Sequence, residues 1–307
     1  MSSSPPRAKG TSGATVGYNA LRQATVEGAK ENLVGFSISG LATYVQIPEL
    51  DLCLDMGECP LSALPLDHVF LSHAHGDHSR CLMRHYSLRR MTGIERPAAY
   101  YLEADLVERA RDLVRAEARF EGTPLAKLAM PDFVGLEVGA EPVPLAWRKD
   151  LRIGAFRVHH SIPAIGCTVY DHKRKLKEEF AGLPGPKLAE LRLEQGVEIT
   201  REILEPRVSF CGDTTIKGLA ANPQIWKSRI VVVESTFLEP GEEAMARHKR
   251  HTHVTELVAL LKELGPELKS ETVVLSHFSM KHTPAQILAL VAQAVPEELR
   301  ERVRVLI

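Results

Sequence analysis

The residues best equipped for chemistry lie together at Leu71-Ser-His73-Ala-His75-Gly-Asp77-His78, an HxHxDH run directly after an apolar stretch. A turn at the end of a strand throws alternate side chains to one side, so His73 and His75 can share one cation while Asp77 and His78 reach a neighbouring one. Zn²⁺ favours imidazole and carboxylate ligands, and a catalytic site keeps one position open for water. One cluster cannot complete two metal sites, so further ligands must come from later in the chain. Three stretches offer them, each after a strand-like run: FRVHHS with His159 and His160, VSFCGDTT with Asp213 in a Gly-Asp turn, and VVLSHFS with His277. A carboxylate such as Asp213 has two oxygens and can bridge cations about 3.5–4 Å apart. Such a pair makes a water-derived nucleophile available near neutral pH, and Asp77 is placed to accept the water's proton. RHTHVT adds His251 and His253 as candidate proton donors, and Glu234 in ESTF could orient His253 as a carboxylate does in a catalytic triad. Asp55 in LDMG is expected to hydrogen-bond a ligating histidine.

These side chains need strands to carry them. FSISGLATYVQI (36–47), DLCLDMG (51–57) and HVFLSH (68–73) are strand-like, as are 143–147, 151–159, 165–170, 207–211 and VVVEST at 231–236. Ala104–Phe120 places Leu106, Ala110, Leu113, Val114 and Ala118 at helical spacing. The last third alternates helix (254–264), strand (272–276) and helix (284–295). Strand pairs followed by β-then-α units predict an α/β chain of layered, mixed αββα type, not a doubly wound parallel sheet. Residues 1–30 read as an N-terminal tail, Ser/Pro/Gly-rich to about 13 and a short helix over 18–30. Residues 31–307 then form one domain with an inserted segment at 171–206.

At 44% hydrophobic and 25% charged, 307 residues can bury a sizeable core, which excludes full disorder. Lys and Arg number 38 against 39 Asp and Glu, so a globally basic nucleic-acid coat is excluded and only local basic patches remain. No apolar run approaches the roughly 18 residues needed to cross a bilayer. MSSSPPRAKGTSG has no apolar core of a secretory signal. Five cysteines without a CxxC pair fit a reducing compartment, which predicts a cytoplasmic protein.

HxHxDH, with LDMG before it and CGDT, ESTF, HxT and HFS after it, resembles the metallo-β-lactamase superfamily, and within it ribonuclease Z (tRNase Z), most of all the short plant-type form. The similarity runs from about Val34 to His282 and takes in YDHKRKLKEEFAGLPG. The resemblance implies a sandwich of two mixed β-sheets flanked by helices, and two zinc ions per subunit. It implies a first zinc site of His73, His75, His160 and Asp213, and a second of Asp77, His78, Asp213 and His277. His160 is preferred to His159 because it lies six residues before Gly166, as in the family's H…GY motif. The resemblance also implies Asp77 as proton acceptor and His253, with Thr255 as the T of HxT, as proton donor. The implied activity is a zinc-dependent endoribonuclease that hydrolyses a phosphodiester to remove the 3′ trailer of precursor tRNA, acting as a homodimer. The alternative is a phosphodiesterase of the same fold acting on other RNA or small phosphodiesters.

An RNA substrate needs Lys and Arg near the cleft. Arg84, Arg89 and Arg90 form one cluster; Lys173, Arg174, Lys175 and Lys177 a second; Arg247, Lys249 and Arg250 a third. In the family the segment matching 171–206 extends an arm that clasps the tRNA elbow, so Lys173, Arg174 and Lys175 are the expected substrate contacts. The chain departs from the family at Ser79-Arg80-Cys81-Leu82-Met83, where a Gly-Gly-Leu-Pro-like run is usual, and at Cys167 and His282, where tyrosines are usual.

Overall fold

The computed structural model describes residues 23–27 and 31–307. The tail expected at 1–13 lies outside the described residues. Of the helix expected over 18–30, the described residues form a strand instead. Ala24-Thr-Val-Glu27 pairs antiparallel with Asn32–Gly35, and the β-branched pair Thr25-Val26 favours an extended, half-buried edge.

The first sheet runs in chain order through β1 (Ala24–Glu27), β2 (Asn32–Ser39), β3 (Ala42–Ile47), β4 (Leu52–Leu54), β5 (His68–Phe70), β6 (Ala99–Glu103) and β7 (Asp132–Leu136). It is antiparallel up to β4 and parallel beyond. The second sheet holds β8 (Val143–Leu145), β9 (Arg148–Arg157), β10 (Ile165–Leu176), β11 (Thr200–Phe210), β12 (Ile230–Glu234) and β13 (Thr272–Ser276). The two-residue β14 (Phe278–Ser279) crosses back to pair with β2, and β15 (Val303–Val305) closes the far edge of the second sheet against β13. This sheet too is antiparallel from β8 to β11 and parallel from there on.

Period-two alternation decides which side chains meet between the sheets. Leu52, Leu54 and Phe70 of the first sheet pack with Ile153, Ile165, Cys167, Val208, Phe210 and Val232 of the second, while Cys53 points outward. Phe70 and Phe210 meet edge-on at 6.2 Å. The outer faces are covered by α1 (Gly76–Ser79), α2 (Leu82–Met91), α3 (Val107–Phe120), α5 (Ile216–Ala220), α6 (Glu243–Lys249), α7 (Val254–Leu264), α8 (Pro284–Ala294) and α9 (Glu297–Arg300); α4 (Gly185–Leu193) lies in the inserted segment. Val254, Leu257, Val258 and Leu261 form the buried stripe of α7, and Ile287 and Val291 that of α8. Two mixed sheets flanked by helices is the αββα architecture expected. Among the described residues no helix is long and apolar enough to cross a membrane.

Two expectations are refined. The stretch 36–47 is a hairpin, because Gly40 takes φ +74° and turns β2 into β3. The strands expected at 165–170 and 207–211 are the inner halves of β10 and β11, which stay paired out to Leu176 and Thr200. The inserted segment is therefore a β-hairpin arm bearing α4. The arm's register shifts beside Val169 and Tyr170, where the partner strand carries Pro206, which has no N–H to give to the ladder.

Candidate metal centre

The cluster forms at the rim where β5, β9, β11, β12 and β13 end. Strand β5 leads to His73, and a bridge between His73 and Ala164 joins the two sheets there. β9 leads to His160, β11 to Asp213, and β13 to His277. Gly212 takes φ +55° to turn Asp213 inward, and a Cβ there would lie 2.8 Å from Ser72. Among the described residues five other than glycine have positive φ, and three of them, Asp55, Arg250 and His277, border this site. Such conformations persist where surrounding bonds over-determine them.

His73, His75, His160 and Asp213 form one group able to hold a cation, and Asp77, His78 and His277 form a second. Asp213 faces both. Its Oδ2 lies 3.8 Å from Nε2 of His73 and of His160, while its Oδ1 lies 3.4 Å from Nε2 of His78 and from Nδ1 of His277. All seven side chains expected as ligands thus converge.

The outer nitrogens fix the tautomers. Ser72 Oγ donates to Asp55 Oδ2 (2.8 Å), so it accepts from Nδ1–H of His73 at 2.9 Å. His78 Nδ1–H donates to Asp55 Oδ2 at 2.6 Å, and His160 Nδ1–H to the carbonyl of Arg250 at 3.2 Å. Thr236 Oγ1 donates to Glu234 Oε2 and accepts from Nδ1–H of His277 at 3.0 Å. Each ring therefore turns its Nε2 inward; against burial, Asp213 and Asp55 hold His78 well above the usual histidine range, so its Nε2 gives up a proton when a cation binds. His73 Nε2 and His160 Nε2 face Nδ1 of His75 at 3.1 and 3.2 Å, and His78 Nε2 faces Nε2 of His277 at 3.2 Å. Ring nitrogens opposed at this distance need a proton or a cation between them, and Asp213 Oδ1 is buried with no hydrogen-bond partner. Buried imidazole and carboxylate donors with these orphaned faces fit divalent cations.

Charge follows the same logic. Burial holds His73, His75 and His160 below the usual histidine range, so they stay neutral and ready to ligate. Burial opposes ionisation of Asp77, but His277, His78 and the Gly40 N–H outweigh it and keep the carboxyl well below the usual range. Asp213 is held low against burial by His277 and His78. Asp55, fully buried, is pushed up by desolvation despite its bonds to His78 and Ser72.

The structure corrects the expected Glu234–His253 pair. Both ring nitrogens of His253 are engaged elsewhere, Nδ1 with Thr255 and Nε2 with the carbonyl of Glu239 at 2.8 Å. The ring is fully buried and its side chain caps α7. Glu234 instead accepts from Nδ1 of His251 at 2.8 Å, and from the N–H groups of Thr214 and Thr236. The His251 ring stacks on His277 at 5.3 Å and lies 5.2 Å from His160. Burial lowers the affinity of His251 for a proton, but Glu234 and Asp213 outweigh it and raise its pKa to about 9. The signal for His251 was present in the sequence: the apolar stripe beginning at Val254 makes residue 253 the N-cap, which spends that side chain on the helix.

The preference for His160 over His159 agrees with the geometry; His159 is exposed and turns Nδ1 to Thr215 Oγ1. Of the basic residues singled out in the sequence, Arg250 stands at the cluster, donating to the carbonyl of His160 at 2.8 Å, but the expected contacts Lys173, Arg174 and Lys175 do not. Lys173 and Lys175 pair with Glu205 at 2.5 and 3.3 Å, and Arg174 with Glu202 at 3.5 Å, across the arm. Strand β10 leaves the rim at Ile165, so Lys173 lies roughly 26 Å along it at 3.3 Å per residue. Arg89 is buried against Asp67, and Arg247 pairs with Glu256. Cys167 packs between the sheets and lines no cleft.

This fold and this cluster define a metallo-β-lactamase-fold hydrolase. The chain belongs to the ribonuclease Z (tRNase Z) family: it is 33% identical over 272 residues to tRNase Z TRZ1 of Arabidopsis thaliana, covering 88% of this chain and 92% of that protein. It is 31% identical over 264 residues to the chloroplastic tRNase Z TRZ2 of the same plant, covering 82% and 69%, and 38% identical over 172 residues to the nuclear ribonuclease Z of Triticum aestivum, covering 55% and 91%. No family model matches the chain. Among solved structures, the metallo-β-lactamase-fold protein YhfI of Bacillus subtilis aligns with a TM-score of 0.56 at 13% identity, over 88% of this chain and 93% of that one. The human short-form tRNase Z aligns with a TM-score of 0.53 at 17% identity, over 81% and 92%. At these identities the solved structures speak for the fold.

Proposed function

We propose that this chain is a zinc-dependent endoribonuclease that removes the 3′ trailer of precursor tRNA by hydrolysing one phosphodiester. Family membership supports the substrate, and the convergence of His73, His75, His160, His78 and His277 on the two oxygens of Asp213, with Asp77 beside His78 and His277, supports the chemistry. In this reading His73, His75, His160 and Asp213 hold one zinc, and Asp77, His78, Asp213 and His277 hold the other. Zinc bound there would supply Lewis acidity, lowering the pKa of water and offsetting the negative charge that gathers on the phosphoryl oxygens.

The chain's own groups do the rest. Asp55 and Ser72 fix the rings of His78 and His73, and Thr236 fixes that of His277. Asp77 takes the proton of the attacking water. His251, held protonated by Glu234, gives a proton through Nε2 to the 3′ oxygen as the P–O3′ bond breaks, leaving a 3′-hydroxyl on the tRNA and a 5′-phosphate on the trailer. Lys173, Arg174 and Lys175 meet RNA phosphates only by exchanging their glutamate partners for them. A homodimer is part of this reading on the strength of the resemblance, and a cytoplasmic location on the unpaired cysteines; light scattering after size exclusion and imaging of a tagged chain test these two.

The charge-compensated arm favours one rival, a phosphodiesterase acting on small phosphodiesters or other RNA. Cleavage of a 3′-extended tRNA transcript measured beside hydrolysis of bis(p-nitrophenyl) phosphate separates them. The proposal expects a discrete cut near the 3′ end of the tRNA. Hydrolysis of the small diester with intact tRNA would overturn it.

A further inference from the structure

Asp77 is tied to a turn outside its own loop. Its Oδ2 accepts from the backbone N–H of Gly40 at 2.7 Å, at the tip of the β2–β3 hairpin. That tip belongs to a different part of the chain from the HxHxDH loop, and Gly40 lies in a conformation of φ +74° that ordinary side chains rarely adopt. Something must keep the tip against the loop, and the guanidinium of Arg80 spans the gap. One terminal nitrogen donates to the carbonyl of Leu41 at 2.6 Å, the residue next to Gly40, while Nε donates to the carbonyl of Gly57 at 2.9 Å.

Gly57 is itself wedged into this junction. Its N–H donates to Thr43 in β3 at 2.9 Å, and a Cβ at this position would lie 1.8 Å from the carbonyl oxygen of Asp77. Met56, one residue earlier, donates its N–H to the carbonyl of His78 at 2.7 Å, and its carbonyl accepts from the N–H of Cys81 at 3.0 Å. Three segments therefore meet at Arg80: the hairpin tip, the loop 55–57, and α1, which carries Asp77 and His78.

We infer that Arg80 is a positioning residue for the second metal site, pinning the β2–β3 turn so that Gly40 N–H holds Asp77 aimed at the Asp77–His78–His277 group. A charged side chain making two backbone bonds at the surface is otherwise an expensive way to close a loop, since ordering it costs rotamer entropy. The backbone carbonyls it serves are the ones that fix the tip and the glycine beside Asp77. The first group, His73–His75–His160, is held by Ser72 and Arg250 and does not depend on it.

This inference rests on the two-zinc reading, and its test reads metal as well as turnover. Arg80→Met keeps the aliphatic stem and loses both donors; Arg80→Lys keeps one. Full-length wild type and both variants are titrated with a zinc chelator while bound zinc and apo-protein melting temperature are followed. The expected result is that wild type retains two zinc ions, and that Arg80→Met loses the second about 10- to 100-fold more readily while the first is unchanged, as for other groups that support metal ligands. Arg80→Lys should fall between. Equal retention of both ions in all three proteins, or equal weakening of both ions in step with a lower melting temperature, overturns the inference. If Arg80→Met fails to fold, Arg80→Lys decides: a selective weakening of the second ion supports the inference, and an unselective change or none overturns it. Wild type that binds fewer than two ions would instead refute the two-zinc reading.

Discussion

The carboxylate of Glu234 accepts a hydrogen bond from Nδ1 of His251 at 2.8 Å, which turns the other face of that ring toward His160 and His277. His253, two residues on, has no ring nitrogen to spare. The two histidines therefore have separable roles. His251→Ala should keep its zinc and lose roughly 10²- to 10⁴-fold in cleavage rate, the usual worth of a general acid. His253→Ala should cut stability by about 1–3 kcal/mol through the lost cap and the cavity, with turnover per folded molecule near wild type. Metal content, melting temperature and single-turnover cleavage on both variants check this.

The same pair sets a pH dependence. A general acid works in its protonated form, so activity is present below its pKa and falls as pH rises through it. Glu234 and Asp213 hold His251 up to about 9 against burial, and cations sharing the charge of Asp213 bring that value down. The alkaline limb of the rate profile should therefore lie at or below pH 9. Glu234→Gln removes the nearest charge and should move that limb at least one pH unit toward acid. An unmoved limb would show that another group donates the proton.

Asp213 serves both groups, whereas Asp55 touches only one ligating ring and a serine. Asp213→Ala should therefore empty both sites and abolish cleavage. Asp55→Asn should weaken metal binding about 10- to 100-fold without abolishing it. Zinc retained against graded chelator distinguishes the two outcomes.

On the arm, Glu205 holds Lys173 and Lys175. Glu205→Gln should free both lysines and tighten RNA binding at low salt. It should also steepen the slope of log affinity against log salt by up to about 0.7–0.9 per phosphate gained. An unchanged slope would mean that these lysines do not meet RNA.

Much of the centre was legible because metal ligands leave a pattern of residue types at strand ends: the His73–His78 run, Asp213 and His277 all converge as their positions suggest. The layered fold was legible for a similar reason, since apolar runs ending at one rim are what alternate packing between two sheets demands. His251 was passed over because two histidines flank one threonine, and choosing between them turns on where α7 starts, a capping signal that the apolar stripe from Val254 carries. The role of Arg80 was invisible because its partners are backbone carbonyls at 41 and 57, set by folding and by no residue type. The pairing of Lys173, Arg174 and Lys175 was missed because Glu202 and Glu205 lie some thirty residues away and become neighbours only when the arm folds into a hairpin. The strand at 24–27 was masked by a composition equally at home in a helix, and only pairing with β2 decided it.

The most direct test is cleavage of a 3′-extended tRNA transcript by the zinc-loaded chain, with and without a chelator and after zinc is restored. One cut near the 3′ end of the acceptor stem is expected, lost when zinc is stripped and regained when zinc is restored. A transcript left whole by the zinc-loaded protein, or cut equally well by the stripped one, would contradict the proposed function.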